Sequence, residues 1–374
     1  MGVIMRETRP ALIFCEPQTG SIRIAALTLL DRLVIACHRG GCAPIQIVCA
    51  GELPSLKRAN ALAIPTEVLA SAPILSEPTV IADCRMLAQA ADVRAVIAKQ
   101  GRLLDTNGAP LPLGLIAVLS TDLDTVLKPL PGVCAEGVAG NVPDETSARR
   151  MEKLLWSSLA SSSDGVVDKY FNRPLGRFLS KILIHTPVTP NQVTVVSMLI
   201  GLAGAYFFAQ GNHAAGIVGA LLLQLSALVD CVDGDIARIA FKESPLGKWL
   251  DIGLDQVVHV AVFAASAVGL ARQEIDVPVL WLGISAVAGA LISFPVVVRG
   301  RLLANKETDT RLERFIDAAS TRDFTALIIL LAFCDMLHWF LWLTAISVHV
   351  LWITALWLQF PKSSKARSNT RPAA

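Results

Sequence analysis

Four aspartates, Asp230, Asp233, Asp251 and Asp255, are set apart by their spacing. Asp230 and Asp233 lie three residues apart, so on a helix they share a face. Gly234, Ala237 and Arg238 continue that face. Gly247, Asp251 and Asp255 follow at intervals of four, again on one helical face. Two such helices facing each other would gather all four carboxylates. Acids at that density repel one another without cations, and hard anionic oxygens suit Mg²⁺ or Mn²⁺. A pair of such ions can polarise a phosphate and stabilise a leaving phosphoryl oxygen. Gly234 and Ala237 remove side-chain bulk where a flat ligand could approach the backbone. Arg238 can pair with a phosphate oxygen. The chemistry expected of this pattern is metal-dependent phosphate handling.

The elements that must position these residues are membrane helices. Of the 374 residues, 53% are hydrophobic and only 17% charged, against about 25% charged in ordinary soluble domains. Mean hydropathy is +0.55. Apolar runs predict six spans at about 192–209, 213–231, 251–271, 278–298, 323–338 and 340–360, with a turn near Asp335–His338. The acids then sit at the ends of spans two and three. Basic residues gather in the 299–322 loop and in the tail (Lys362, Lys365, Arg367, Arg371), whereas the opposite loops offer only Arg272. The positive-inside rule places that basic side, both termini and the acids at the cytoplasmic face of the cell's inner membrane. Residues 166–184 carry Val167, Phe171, Leu175, Phe178 and Ile182 at helical spacing, with Lys169, Arg173, Arg177 and Lys181 beside them. This predicts an amphipathic helix lying on the membrane surface, with Pro174 near a kink or a helix start.

The stretch from Asp230 to Asp255 reads D-x2-D-G-x2-A-R-x8-G-x3-D-x3-D. It resembles the CDP-alcohol phosphotransferase family at all eight fixed positions, and the resemblance extends over about residues 165–360. It implies transfer of a substituted phosphoryl group from a CDP-alcohol donor to an acceptor alcohol, with release of CMP. It also implies two bound ions held by Asp230, Asp233 and Asp251, with Asp255 as a further ligand. Asp255 would be the general base. Gly234, Ala237 and Arg238 would hold the CDP group, and Gly247 would lie against the nucleotide. Residues 186–194, Thr-Pro-Val-Thr-Pro-Asn-Gln-Val-Thr, resemble the family's approach to its first span, which places Asn191 and Thr194 at the nucleotide pocket. Helix capping by Asn191, or a Thr194 hydroxyl bonded to its own backbone, would explain the same residues. Asp164-Gly165 and Asn172-Arg173-Pro174 resemble the di-myo-inositol phosphate phosphate synthase subgroup, which makes an inositol phosphate one possible acceptor. For an acceptor phosphate the candidates are Arg299, Arg301, Arg311, Arg314 and Arg322. His259, one turn beyond Asp255, reads as a packed core histidine or as a partner of Asp255. The family commonly forms homodimers, so a homodimer in the lipid bilayer is expected.

Residues 1–157 alternate strand and helix patterns, with strands expected at 11–15, 45–49, 79–82 and 115–119 and a clear helix at 27–39. This predicts a cytoplasmic α/β domain, joined to the six-helix domain (192–360) through a linker and surface helix (158–191) and followed by a basic tail (361–374). No targeting signal is seen at the N-terminus, so the chain is expected to begin in the cytoplasm. Leu27–Leu33, Ile45–Val48 and Val80–Asp83 are similar to the nucleotidyltransferase domain that some members of the inositol subgroup carry. The catalytic loop departs from that pattern: Glu16–Arg23 has one glycine where a phosphate cradle needs several, and the lysine expected soon after is missing. The domain is therefore expected to be inactive, with Asp83 an ordinary strand-end residue. A formal charge of +2 disfavours nucleic-acid binding. Eight cysteines without a CxxC pair indicate neither a zinc site nor a disulfide framework. Two rival readings are a cation transporter using the acid cluster and a catalytically silent membrane anchor. Acids confined to one face and an intact motif disfavour both.

Overall fold

The computed structural model describes residues 8–119, 123–159, 165–273, 278–304, 312, 315 and 323–359. The chain divides into two compact units. The first holds the N-terminal residues to Leu159 together with Ile184–Thr186 and Arg238–Phe241; the second holds the remainder.

The first unit is built on seven strands: β1 (Arg9–Cys15), β2 (Cys42–Cys49), β3 (Thr66–Leu69), β4 (Thr79–Asp83), β5 (Arg102–Leu104), β6 (Pro110–Ile116) and β7 (Gly132–Cys134). Their order is β7-β5-β6-β4-β1-β2-β3. β1 runs parallel to β2 and β4, with Leu12 opposite both Gln46 and Ile81. β6 is antiparallel to β4 and β5. The α/β class expected from the sequence is present, and the central strands fall where the apolar runs place them. The run at 115–119 is displaced, because its strand begins at Pro110 and ends at Ile116. The longest helices of the unit are α1 (Leu29–Gly40), α2 (Ala90–Lys99) and α3 (Glu145–Ser157), with shorter ones at Pro17–Gly20, Lys57–Ala61 and Leu123–Leu127. α1 starts two residues later than expected because Thr28 is its N-cap and accepts from the Asp31 N–H. Fully buried Asp92 on α2 accepts from three backbone N–H groups, those of Gln89 (2.8 Å), Glu136 (2.8 Å) and Gly137 (3.0 Å).

The second unit contains α4 (Arg173–Leu183), α5 (Pro190–Ala209), α6 (His213–Ile239) except for its last two residues, α7 (Pro245–Ala271), α8 (Val279–Ala304), α9 (Phe324–Phe333) and α10 (Leu337–Gln359). Among the described residues, α5, α6, α7, α8 and α10 are long and apolar enough to cross a membrane. α9, where a fifth span was expected, has ten residues, too few for that length. The turn expected near 335 is present: Asp335 takes φ 58° between α9 and α10. α7 packs against α5 and α8, and α8 against α10. α6 and α7 extend beyond the apolar runs that revealed them. α6 continues to Ile239, and α7 starts at Pro245, where the Ser244 hydroxyl accepts from the Gly247 N–H at 2.9 Å. The acids therefore lie within regular helix, where backbone geometry fixes their angular spacing.

The segment before α5 is helical as expected, and Pro174 sits in the first turn of α4. Phe171, Leu175, Phe178 and Ile182 are exposed, while the row Asp168, Asn172, Gly176 and Ser180 is buried. The face turned into the protein is thus polar and small, and the outward face is apolar, as suits contact with lipid.

Asp92→Ala leaves three N–H groups without their acceptor. We expect the substitution to cost about 2–3 kcal/mol of stability. Hydrogen exchange should localise the loosening to α2 and to residues 135–137.

Candidate active site

The site lies where α5, α6 and α7 present polar side chains. α6 carries Asp230, Asp233, Gly234, Ala237 and Arg238, and α7 carries Gly247, Asp251 and Asp255. Carboxylate oxygens of Asp230, Asp233 and Asp251 lie within 4.8 Å of one another. Asp230 and Asp233 are buried, at 5% and 8% exposure, and Asp251 is half-buried. Asp255, one turn further along α7, is half-buried and stands outside this trio. Three anionic oxygens so close are mutually repulsive, and taking two of them out of water adds a desolvation cost. The donor set is all hard oxygen, which fits a divalent cation such as Mg²⁺ or Mn²⁺.

α5 supplies the neighbouring polar wall. Thr189 caps the helix, accepting from the Gln192 N–H at 3.3 Å, while the Gln192 side chain accepts from the Thr189 N–H at 2.9 Å. Asn191 is therefore not the cap. Buried Thr194 donates from its hydroxyl to Asp233 in a short hydrogen bond and also lies 3.1 Å from the Pro190 carbonyl. The backbone bond anticipated for Thr194 exists, and so does contact with the cluster.

Asn191 and Gly247 come together across α5 and α7. A Cβ added at Gly247 would fall 2.9 Å from Asn191 Oδ1 and 3.0 Å from the Ser244 hydroxyl. Glycine at this position leaves space for the amide. Ala237 is half-buried and Arg238, in the last turn of α6, is exposed. The His259 ring packs 5.8 Å from Phe324 and 6.1 Å from Phe263. Of the acceptor-phosphate candidates, Arg299 is exposed near the end of α8 and Arg301 lies in the same helix. Arg311, Arg314 and Arg322 lie outside the described residues.

Sequence reasoning missed Asp235. It is fully buried on α6, and its Oδ1 accepts from Arg173 Nη1 at 3.1 Å. Its offset from Asp230 and Asp233 places it off their face, so periodicity gave no reason to select it. Asp323 was missed as well: its carboxylate accepts from the N–H groups of Val166 (3.0 Å) and Val167 (2.8 Å).

A domain of long apolar helices bearing a carboxylate trio is that of a membrane protein whose acids could hold a divalent ion. Residues 187–358 match the CDP-alcohol phosphatidyltransferase family model. The bifunctional IPC transferase and DIPP synthase of Thermococcus kodakarensis is 35% identical over 136 residues, which are 36% of this chain and 30% of that protein. The archaetidylinositol phosphate synthase of Pyrococcus horikoshii is 34% identical over 105 residues, 28% of this chain and 53% of that protein. The chain thus spans between about a third and a half of these curated relatives. The structure of Mycobacterium tuberculosis phosphatidylinositol phosphate synthase with CDP-DAG bound is 20% identical, covering 53% of this chain and 99% of that one, with a TM-score of 0.37. Likeness at that level sets no constraint on chemistry.

Gly247→Ala should push Asn191 aside and raise KM for a CDP-alcohol about tenfold, equivalent to about 1.4 kcal/mol. Mn²⁺ affinity should stay unchanged. Steady-state kinetics and a metal titration check the two halves of this expectation.

Proposed function

We propose that the chain transfers a substituted phosphoryl group from a CDP-alcohol to an acceptor alcohol at a membrane surface and releases CMP. The observation that carries this reading is the Asp230–Asp233–Asp251 trio within the family domain. Relatives named for archaetidylinositol phosphate and DIPP synthesis favour an inositol phosphate as acceptor. Asp230, Asp233 and Asp251 would hold the divalent ions, two of Mg²⁺ or Mn²⁺. When bound, these ions supply Lewis-acid polarisation of the phosphate and stabilise charge on the departing oxygen.

The chain's own groups do the rest. Asn191, Thr194, Gly234, Ala237, Arg238 and Gly247 bind and orient the CDP moiety. Asp255 takes the proton of the acceptor hydroxyl. A bond forms between that oxygen and the phosphorus next to the donor's alcohol. The bond from this phosphorus to the bridging oxygen breaks, and CMP leaves with that oxygen. Arg299, Arg301, Arg311, Arg314 and Arg322 are the cations available for an acceptor phosphate. We place the protein in the inner membrane as a homodimer with both termini cytoplasmic.

The N-terminal domain transfers no nucleotide in this reading. Its short helix at Pro17–Gly20 replaces a phosphate-cradling loop, and the N–H groups of Gly20, Ser21 and Ile22 are spent on the carbonyls of Glu16, Pro17 and Thr19. Arg85 grips the Asp83 carboxylate at 2.8–3.1 Å, filling the position a metal ion would need.

The test is CMP release by purified protein in detergent, with CDP-inositol or CDP-diacylglycerol crossed with acceptor alcohols including inositol phosphate. Acceptor-dependent release is expected, with loss on chelation of divalent ions. Asp255→Asn should lower kcat by at least about a hundredfold while leaving Mn²⁺ binding intact; turnover retained in that variant would remove the base from Asp255. With CTP and a sugar or inositol phosphate, the protein should release no pyrophosphate.

A further inference from the structure

We propose that the Arg173–Asp235 ion pair is a positioning device for the metal site, holding the end of α6 in the rotation that turns Asp230 and Asp233 toward Asp251. The inference rests on the metal-binding reading given above.

Asp235 lies two residues beyond Asp233, about 200° around the helix from it. The last turns of α6 therefore carry acids on two faces. One face meets Thr194 of α5 and joins Asp251 of α7. The other is fully buried and meets Arg173, whose side chain is 11% exposed. Rotating α6 to relax one face would misplace the other.

The segment around Arg173 is held in place by contacts of its neighbours. The turn before it, Asp168–Asn172, is a wide π turn, a local distortion that recurs at functional sites. Fully buried Asn172 donates to Asp168 Oδ1 at 2.8 Å and accepts from Gln224 Nε2 at 2.6 Å. Gln224 lies on α6, about three turns before Asp235. Gly176 then packs against Leu228, Cys231 and Val232 of the same helix. Upstream, Asp323 caps the segment through the N–H groups of Val166 and Val167, and a Cβ at Gly165 would collide with its carboxylate. The surface helix is thus fastened to α6 at a polar contact, at a close helix contact and at an ion pair.

A buried ion pair does little for net stability compared with an apolar replacement, and its best-attested use is to fix register. Register is what matters here, because the acids of a metal site tolerate little rotation. A purely electrostatic role makes the opposite prediction. Without Arg173, the negative charge of Asp235 near the cluster would draw a cation more strongly.

The experiment is Mn²⁺ binding to the full-length protein in detergent, read from the electron paramagnetic resonance signal of free Mn²⁺, with thermal melting of each variant. Wild type, Arg173→Gln, Arg173→Lys, the double variant Arg173→Gln/Asp235→Asn, and Asp233→Asn are compared. Positioning predicts that Arg173→Gln weakens Mn²⁺ binding about tenfold, that the charge-balanced double variant weakens it similarly, and that Arg173→Lys stays within about threefold of wild type. Unchanged or tighter binding in Arg173→Gln overturns the proposal. Should that variant fail to fold, the double variant decides, and wild-type affinity there overturns it. Absence of Mn²⁺ binding in wild type, or binding indifferent to Asp233→Asn, would instead overturn the metal-site reading beneath it.

Discussion

Three carboxylates within 4.8 Å of one another, two of them buried at the end of an apolar helix, set the main constraint on the membrane unit. Charge of one sign at that density opposes folding, and burial makes it worse. The surrounding elements answer with donors and with rigidity. Thr194 gives its hydroxyl to Asp233, and capping residues hold α5 and α7 in defined starting positions. A hard divalent cation would complete the compensation, and the cost of assembling the acids would then be the same fact as the affinity for the ion.

The same constraint accounts for where helices begin and end. Hydropathy alone would stop α6 near residue 231 and start α7 near 251. Both helices run on through polar sequence, since only regular helix keeps residues three and four apart on one face. Ser244 and Pro245 give α7 its start well outside the apolar run. The site therefore sits on rigid elements, with its acids set by backbone geometry.

The N-terminal unit shows the contrary economy. Where open α/β sheets bind ligands, beyond the carboxyl ends of the strands, its polar groups are turned on one another. Arg85 neutralises Asp83, and the backbone donors of residues 20–22 close a short helix. The core of β1, β2, β4 and α1 is built from buried apolar side chains and does not depend on these polar groups.

Much of the site could be read from the chain alone. Periods of three and four place Asp230 with Asp233, and Asp251 with Asp255, because helix geometry is local and one stretch of sequence contains all of it. The same is true of the strand positions in β1, β2 and β4. Contacts between distant segments could not be read. That Asp255 stands apart from the trio, that Asn191 meets Gly247, that Arg173 pairs with Asp235 and that Asp323 caps residues 166 and 167 are products of how helices pack. The apolar stretch at 323–338 likewise predicts a span, yet the helix there closes after ten residues at a turn set by Asp335. Periodicity belongs to a single element, whereas the partner of a buried charge is chosen by packing between elements far apart in the chain. That choice was made only in the tertiary structure.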